Sequence, residues 1–297
     1  MFYAKTTDLL ERGWTRRSVN ASVACGQLTK LRRGYYLVEG ESSLARIQAN
    51  REVCSDKAVV SHGSAAWLHG LPVPDEAILK AHFTRSRRSG GKRKKAVKLY
   101  GCRLRPDEMT VLQGMVATTL SRTVVDFARH HDGAWGLVVA DAALRAGLSM
   151  EELKEQIARG GHRPGGRRAR RVVGLADGAA ESVGESLSRW IMFEAGLPMP
   201  RIQVELDSWG QIVRVDFFWD DLGLVGEFDG AMKYGAQLAP GGDAAAAVVA
   251  EKRREDGLRA HGYLVVRWVW DDVMHPERLV AILRQAMRLA ERSSTRR

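Results

Sequence analysis

Two short runs of β-branched and aromatic residues, Ile212 to Trp219 and Leu224 to Asp229, flank Asp220, Asp221 and Gly223, and this pattern confines the segment to a hairpin. A loop from Asp220 to Gly223 sets Asp216 directly opposite Glu227, and period-two alternation adds Asp229 to the same face. Facing carboxylates repel, so the arrangement calls for a proton or a cation. A divalent metal with oxygen ligands is the economical expectation. A structural alternative lies in the same register, which puts Arg214 across from Asp229 as a cross-strand ion pair.

At 297 residues the chain is long enough for two or three domains of about 150 residues each. No run approaches the ~18 apolar residues of a membrane helix, so no membrane partner is expected. Met1 to Lys5 leads into polar sequence without a secretory signal. Cys25, Cys54 and Cys102 are widely separated, which argues against a zinc ribbon or disulfide framework and predicts a reduced, cytoplasmic setting. The net charge of +11 points to an acidic polymer as partner. Positive charge is clustered from Arg85 to Lys98, including Arg87, Arg88, Lys94 and Lys95, and again from Arg163 to Arg171. One such run alone reads as a solvated loop; two, beside a basic amino-terminal region, predict phosphate contacts and hence DNA.

The chain divides into residues 1–40, 41–160, a basic Gly- and Pro-containing linker over 161–178, and 179–297. The first region reads helix, helix, hairpin: Thr7 to Glu11, a second helix capped by Thr15, then LTKLRRGYYLV from Leu28 to Val38 as a small β wing. Such a winged helix-turn-helix offers Arg16, Arg17 and Asn20 to a DNA groove and Lys30, Arg32 and Arg33 to phosphates, the alternative being a helical cap with a solvated charged face. The second region reads as α+β, with amphipathic helices over Thr119 to Arg129 and Trp135 to Ala146. Its His62 and His69 read as core or capping residues rather than metal ligands, and Asp126 and Asp141 as solvent-facing or ion-paired.

The third region opens with a helix from Ala179 to Ala195 that carries Glu181, Glu185 and Arg189 at four-residue spacing. After the hairpin, Asp243 caps a helix from Ala244 to His261, and YLVVRWVW from Tyr263 to Trp270 forms a strand. Helices alternating with strands in this order predict an α/β layer with a mixed sheet, and an α/β class overall.

Residues Ala179 to Leu289 resemble the restriction-endonuclease-like PD-(D/E)XK superfamily, in particular its branch similar to very-short-patch-repair endonucleases. The resemblance rests on Glu185, Val215-Asp216-Phe217, Glu227-Phe228-Asp229-Gly230, Lys233-Tyr234, and Glu251 to Asp256 before Gly262-Tyr263. It implies that Asp216 and Glu227, with Glu185, hold magnesium, or manganese in its place. The superfamily's water-activating Lys would stand where this chain has Asp229. Either Lys233 or Lys252 then reaches back into the site, or Asp229 is a further metal ligand, or cleavage has been lost. The first two regions resemble the AbiEi antitoxins of type IV toxin–antitoxin systems, through LRRGYYLV, VVSHGSAAWLHGLP and LSRTVVDFAR. This second resemblance implies a bacterial promoter-binding winged helix and a cognate toxin as partner. Together the two imply either a metal-dependent endonuclease-like protein acting on phosphodiesters, or a non-catalytic regulator with a degenerate nuclease fold. Oligomeric state is not legible in one chain.

Overall fold

The computed structural model describes residues 2–40, 42–54, 58–86, 92–93, 96–230 and 244–294. The chain is of the α/β class, with three sheets among the described residues, and forms two compact units: Met1–Val139 with Gly147–Gly174, and Ala140–Ala146 with Leu175–Arg297. No helix among the described residues is long and apolar enough to cross a membrane.

The first unit begins with β1 (Phe2–Lys5), α1 (Thr6–Glu11), α2 (Arg16–Ala24), β2 (Thr29–Arg32) and β3 (Tyr35–Glu39). The strands form an antiparallel sheet in the order β1-β3-β2, one strand more than the hairpin sequence suggests. Thr15 caps α2 as expected: its hydroxyl accepts from the Ser18 amide at 3.1 Å, and the Ser18 hydroxyl accepts from the Thr15 amide at 2.9 Å. Ala4, Leu9, Val19, Leu28 and Tyr36 close the core beneath both helices.

Next come α3 (Ser42–Arg51), β4 (Ala58–Val60), α4 (His62–Leu68), α5 (Asp75–Ile78), β5 (Ala81–Arg85), β6 (Lys92–Arg93), β7 (Val97–Gly101), β8 (Met109–Leu112) and β9 (Met115–Thr118). Their strands build a mixed six-stranded sheet in the order β6-β7-β5-β4-β9-β8. The helices α6 (Leu120–His130), α7 (Gly133–Arg145), α8 (Met150–Arg159) and α9 (Gly166–Leu175) follow. Arg122 is fully buried, and its charge is compensated by Asp126 at 2.7 Å and Glu108 at 2.9 Å. His62 is likewise a core residue, stacked on Tyr100 with ring centroids 3.4 Å apart. The stretch that reads as a basic linker contains α9, whose Ala169, Val172 and Val173 are buried.

The second unit contains α10 (Val183–Glu194), β10 (Arg201–Ser208), β11 (Gln211–Trp219), β12 (Leu224–Asp229), α11 (Ala244–Ala260), β13 (Leu264–Val269), α12 (Trp270–Met274) and α13 (Pro276–Ser294). The sheet order is β10-β11-β12-β13; the first three strands run antiparallel and β13 lies parallel to β12, giving the mixed sheet anticipated. The sequence pattern does not announce β10. The helix α10 starts later than its apolar periodicity suggests, because the Ser182 hydroxyl caps it by accepting from the Glu185 amide at 3.1 Å. Val204, Leu206, Val215, Phe218 and Val225 form a core with Leu258 of α11. Buried Asp141 holds Arg189 at 2.9 Å and accepts from the Ser186 hydroxyl at 2.7 Å and the Asp177 amide at 2.9 Å.

Candidate functional site

Hydrogen-bonded register fixes the hairpin: Phe217 pairs with Gly226, Phe218 with Val225 and Trp219 with Leu224, around a turn at Asp220–Leu222 and Gly223. Continued by one residue, this register sets Asp216 opposite Glu227, as the sequence predicts. Gly223 has φ +55°, a left-handed conformation that glycine adopts without a Cβ penalty. Phe228 ties the strands together beyond the last ladder pair, its amide donating to Asp216 Oδ2 at 2.9 Å.

Glu185 joins this pair from the first turn of α10 and is 5% exposed. Its Oε2 accepts from the Glu181 amide at 3.0 Å and from Gln203 Nε2 at 2.9 Å. The same Gln203 nitrogen donates to Asp216 Oδ1 at 3.2 Å, so one carboxamide spans two carboxylates. Gln203 holds φ +53° in the middle of β10, a conformation costly for a residue with a Cβ. Burial, followed by the negative charges of Glu185 and Glu227, pushes the Asp216 carboxyl up to about 6. Gly184 makes this proximity sterically feasible: a Cβ there would lie 2.0 Å from Cε1 of Phe228.

Glu227 is held differently. Arg254 of α11 grips it bidentately, at 2.7 and 2.6 Å, and Arg267, its register partner on β13, approaches to 3.3 Å. Glu255 extends the network to Arg267 at 3.4 Å. Asp229 ends β12 in an exposed position, and Lys252 is exposed on α11. Lys233 lies outside the described residues. The Arg214–Asp229 pair is corrected: Arg214 binds Glu181 instead, at 2.7 Å, because the segment just ahead of α10 brings that carboxylate alongside β11. Gln203, Arg254 and Arg267 are the residues that sequence reasoning missed.

Among the described residues, no group of three or more His, Cys, Asp or Glu is arranged as a ready-made metal cage. A hard cation such as magnesium needs less: it is commonly held by one or two carboxylates plus waters and substrate phosphate. The oxygen-only side chains of Glu185 and Asp216 fit that requirement, and burial first, then the charges of Glu185 and Glu227, raise the Asp216 carboxyl.

In the amino-terminal region, Arg16, Arg17 and Asn20 are exposed on the first turns of α2, while Lys30 and Arg33 are exposed on and just after β2. Arg32 is half-buried, with its guanidinium 5.3 Å from the Tyr35 ring. Arg87, Arg88, Lys94 and Lys95 lie outside the described residues.

Two curated proteins of Mycobacterium tuberculosis, "Uncharacterized protein Rv2248" and "Uncharacterized protein MT2308", are each 30% identical to the chain over 270 residues, which is 90% of this chain and 95% of theirs. The chain belongs to the family of Rv2248 and MT2308. The identity extends along nearly all of both chains, so family membership covers the chain as a whole rather than one segment of it. No protein-family model matches the chain. The crystal structure of the Rv2827c protein from the same organism aligns with 69% of this chain and 83% of its own, at a TM-score of 0.38 and 16% identity, a likeness too weak to argue from.

Proposed function

We propose that the chain is a DNA-binding protein whose second unit carries a divalent-cation-dependent phosphodiesterase site centred on Asp216. The observation that carries this reading is the half-buried Asp216 carboxyl, bridged to Glu185 by Gln203 and pushed up to about 6 by burial and by the charges of Glu185 and Glu227. Glu185 and Asp216 would hold magnesium or manganese, with Glu227 at the rim. Bound there, the ion would polarise a scissile phosphate and lower the pKa of a coordinated water. Arg254 and Arg267 supply fixed positive charge beside Glu227, the role left vacant where Asp229 replaces the superfamily Lys. A guanidinium stays protonated, so these two residues orient Glu227 and attract phosphate rather than accept a proton. Asp229 and Lys252 are exposed. Arg16, Arg17, Asn20, Lys30 and Arg33 would bring the duplex to the protein, mainly through its backbone.

A second reading, a DNA-binding regulator whose carboxylates are purely structural, is favoured by one observation: Arg254 already neutralises Glu227 with both of its nitrogens. Supercoiled plasmid incubated with magnesium or manganese separates the two. The first reading expects nicking by the wild type, none by Asp216→Asn, and equal duplex affinity for both proteins. It also expects manganese to raise the melting temperature of the wild type and not that of the variant. Intact plasmid together with tight duplex binding and no manganese response would leave the regulator.

A further inference from the structure

The loop joining α8 to α9 in the first unit, Gly160-Gly161-His162-Arg163-Pro164-Gly165, shapes a pocket of about 300 Å³. Gly161, His162, Arg163, Gly165, Arg167 and Arg170 line it, and no carboxylate does. Among the described residues, Arg163, Arg167 and Arg170 form no ion pair.

Behind the loop lies Arg129, 5% exposed. A Cβ at Gly160 would fall 1.8 Å from Arg129 Nη2, and one at Gly165 2.2 Å from the Arg129 carbonyl oxygen, so the two glycines let the loop close onto this residue. The carboxylate beside Arg129 is Asp126, at 3.9 Å, and Asp126 is already engaged by Arg122 at 2.7 Å. Arg129 Nε is buried without a hydrogen-bond partner, and so is Nη1 of Arg163. Burial, then the nearby Asp126 acting against it, then repulsion from Arg163 leave the Arg129 pKa below its ordinary value. The start of α9 adds the amides of Arg167 and Arg168, which have no intrahelical acceptor, while the Gly166 amide donates to the Arg163 carbonyl at 3.2 Å, and Arg168 fixes this turn by donating to the His131 carbonyl at 2.6 Å. Crowded guanidinium groups with buried, unsatisfied nitrogens are costly unless an anion answers them.

We infer that this pocket is a binding site for a phosphoryl group, held between Arg163, Arg167 and Arg170 at the amino terminus of α9. Forked guanidinium donors and a helix start are two of the devices by which proteins hold phosphate, and here they converge on one cavity. The group could come from a nucleic-acid backbone or from a free phosphate-bearing molecule. The inference stands apart from the carboxylate site and does not require cleavage.

Calorimetric titration of the full chain with inorganic phosphate and pyrophosphate at low ionic strength, against a chloride control, tests it. The wild type is expected to bind pyrophosphate saturably, and Arg167→Glu/Arg170→Glu at least tenfold more weakly with an unchanged melting temperature, since both side chains are exposed. Arg167→Ala/Arg170→Ala serves as the milder version should charge reversal disturb the helix. Anisotropy with a labelled duplex identifies the source. Parallel loss of duplex affinity, with pyrophosphate competing, assigns the pocket to a DNA backbone; unchanged duplex affinity assigns it to a free phosphate compound. Absence of saturable binding by the wild type, or equal binding by the variants, overturns the inference.

Discussion

Arg254 of α11 holds Glu227 of β12 through both of its terminal nitrogens, at 2.7 and 2.6 Å. A partly buried, bidentate pair of this kind contributes more than an exposed surface pair. Arg254→Ala leaves Glu227 with Arg267 alone at 3.3 Å, and a loss of about 1–3 kcal/mol of stability is expected. The shift in urea midpoint at pH 7 measures it, with the denaturant slope unchanged.

Asp216 gives the protein a defined pH response. Its folded-state pKa of about 6 lies above the ordinary 3.8, so between those values the folded protein keeps a proton that the unfolded chain has released. This favourable contribution is complete below about pH 3.8 and is lost as the pH rises through 6. Asp216→Asn carries no charge to bury, and is expected to be about 1–2 kcal/mol more stable than the wild type at pH 7.5, after allowance for solvent screening. Urea melts across pH 4 to 8 should show the difference shrinking toward the acidic end.

Arg189 compensates Asp141 in a buried environment, where burial pushes that carboxyl up to about 6 despite the ion pair. Arg189→Leu strands the acid without its counter-charge. A destabilisation of about 3–5 kcal/mol at pH 7 is expected, read from thermal or chemical melts. Adding Asp141→Asn should recover part of the loss, which a simple packing defect at Arg189 would not allow.

Arg16 and Arg17 are exposed at the start of α2, so Arg16→Ala/Arg17→Ala should change stability by less than about 0.5 kcal/mol. Duplex affinity should fall for all sequences alike if both residues meet phosphates. The slope of log K against log salt should flatten by about 1 for each phosphate that is no longer neutralised. Affinity falling for one sequence only would move these residues to the base edges.

The hairpin and its register were legible because turn chemistry and period-two patterning act over a few residues. Asp220, Asp221 and Gly223 set the turn, and one strand then fixes the other. The Thr15-capped helix α2 was legible for the same reason. Residues brought in from a distance were not. The burial alternation of Val204, Leu206 and Ser208 is a strand signal, but it is short and follows Pro200, and it gives no hint that Gln203 turns to a left-handed backbone. Arg254 stands in EKRREDG, a run that reads as a solvated face. Which of its arginines faces the sheet depends on helix phase, and Leu258, buried one turn later, sets that phase only once the fold is known.

Gly184 reaches further than its single missing methyl group suggests. The helix bearing Glu185 rests on the ring of Phe228, and that ring already occupies the place a larger residue would need. An alanine there would lift the helix outward, and Glu185 would travel with it. An uncharged hydrocarbon thus gauges how far apart the acids stand, and the chemistry of the pair is tuned by a residue that titrates nothing.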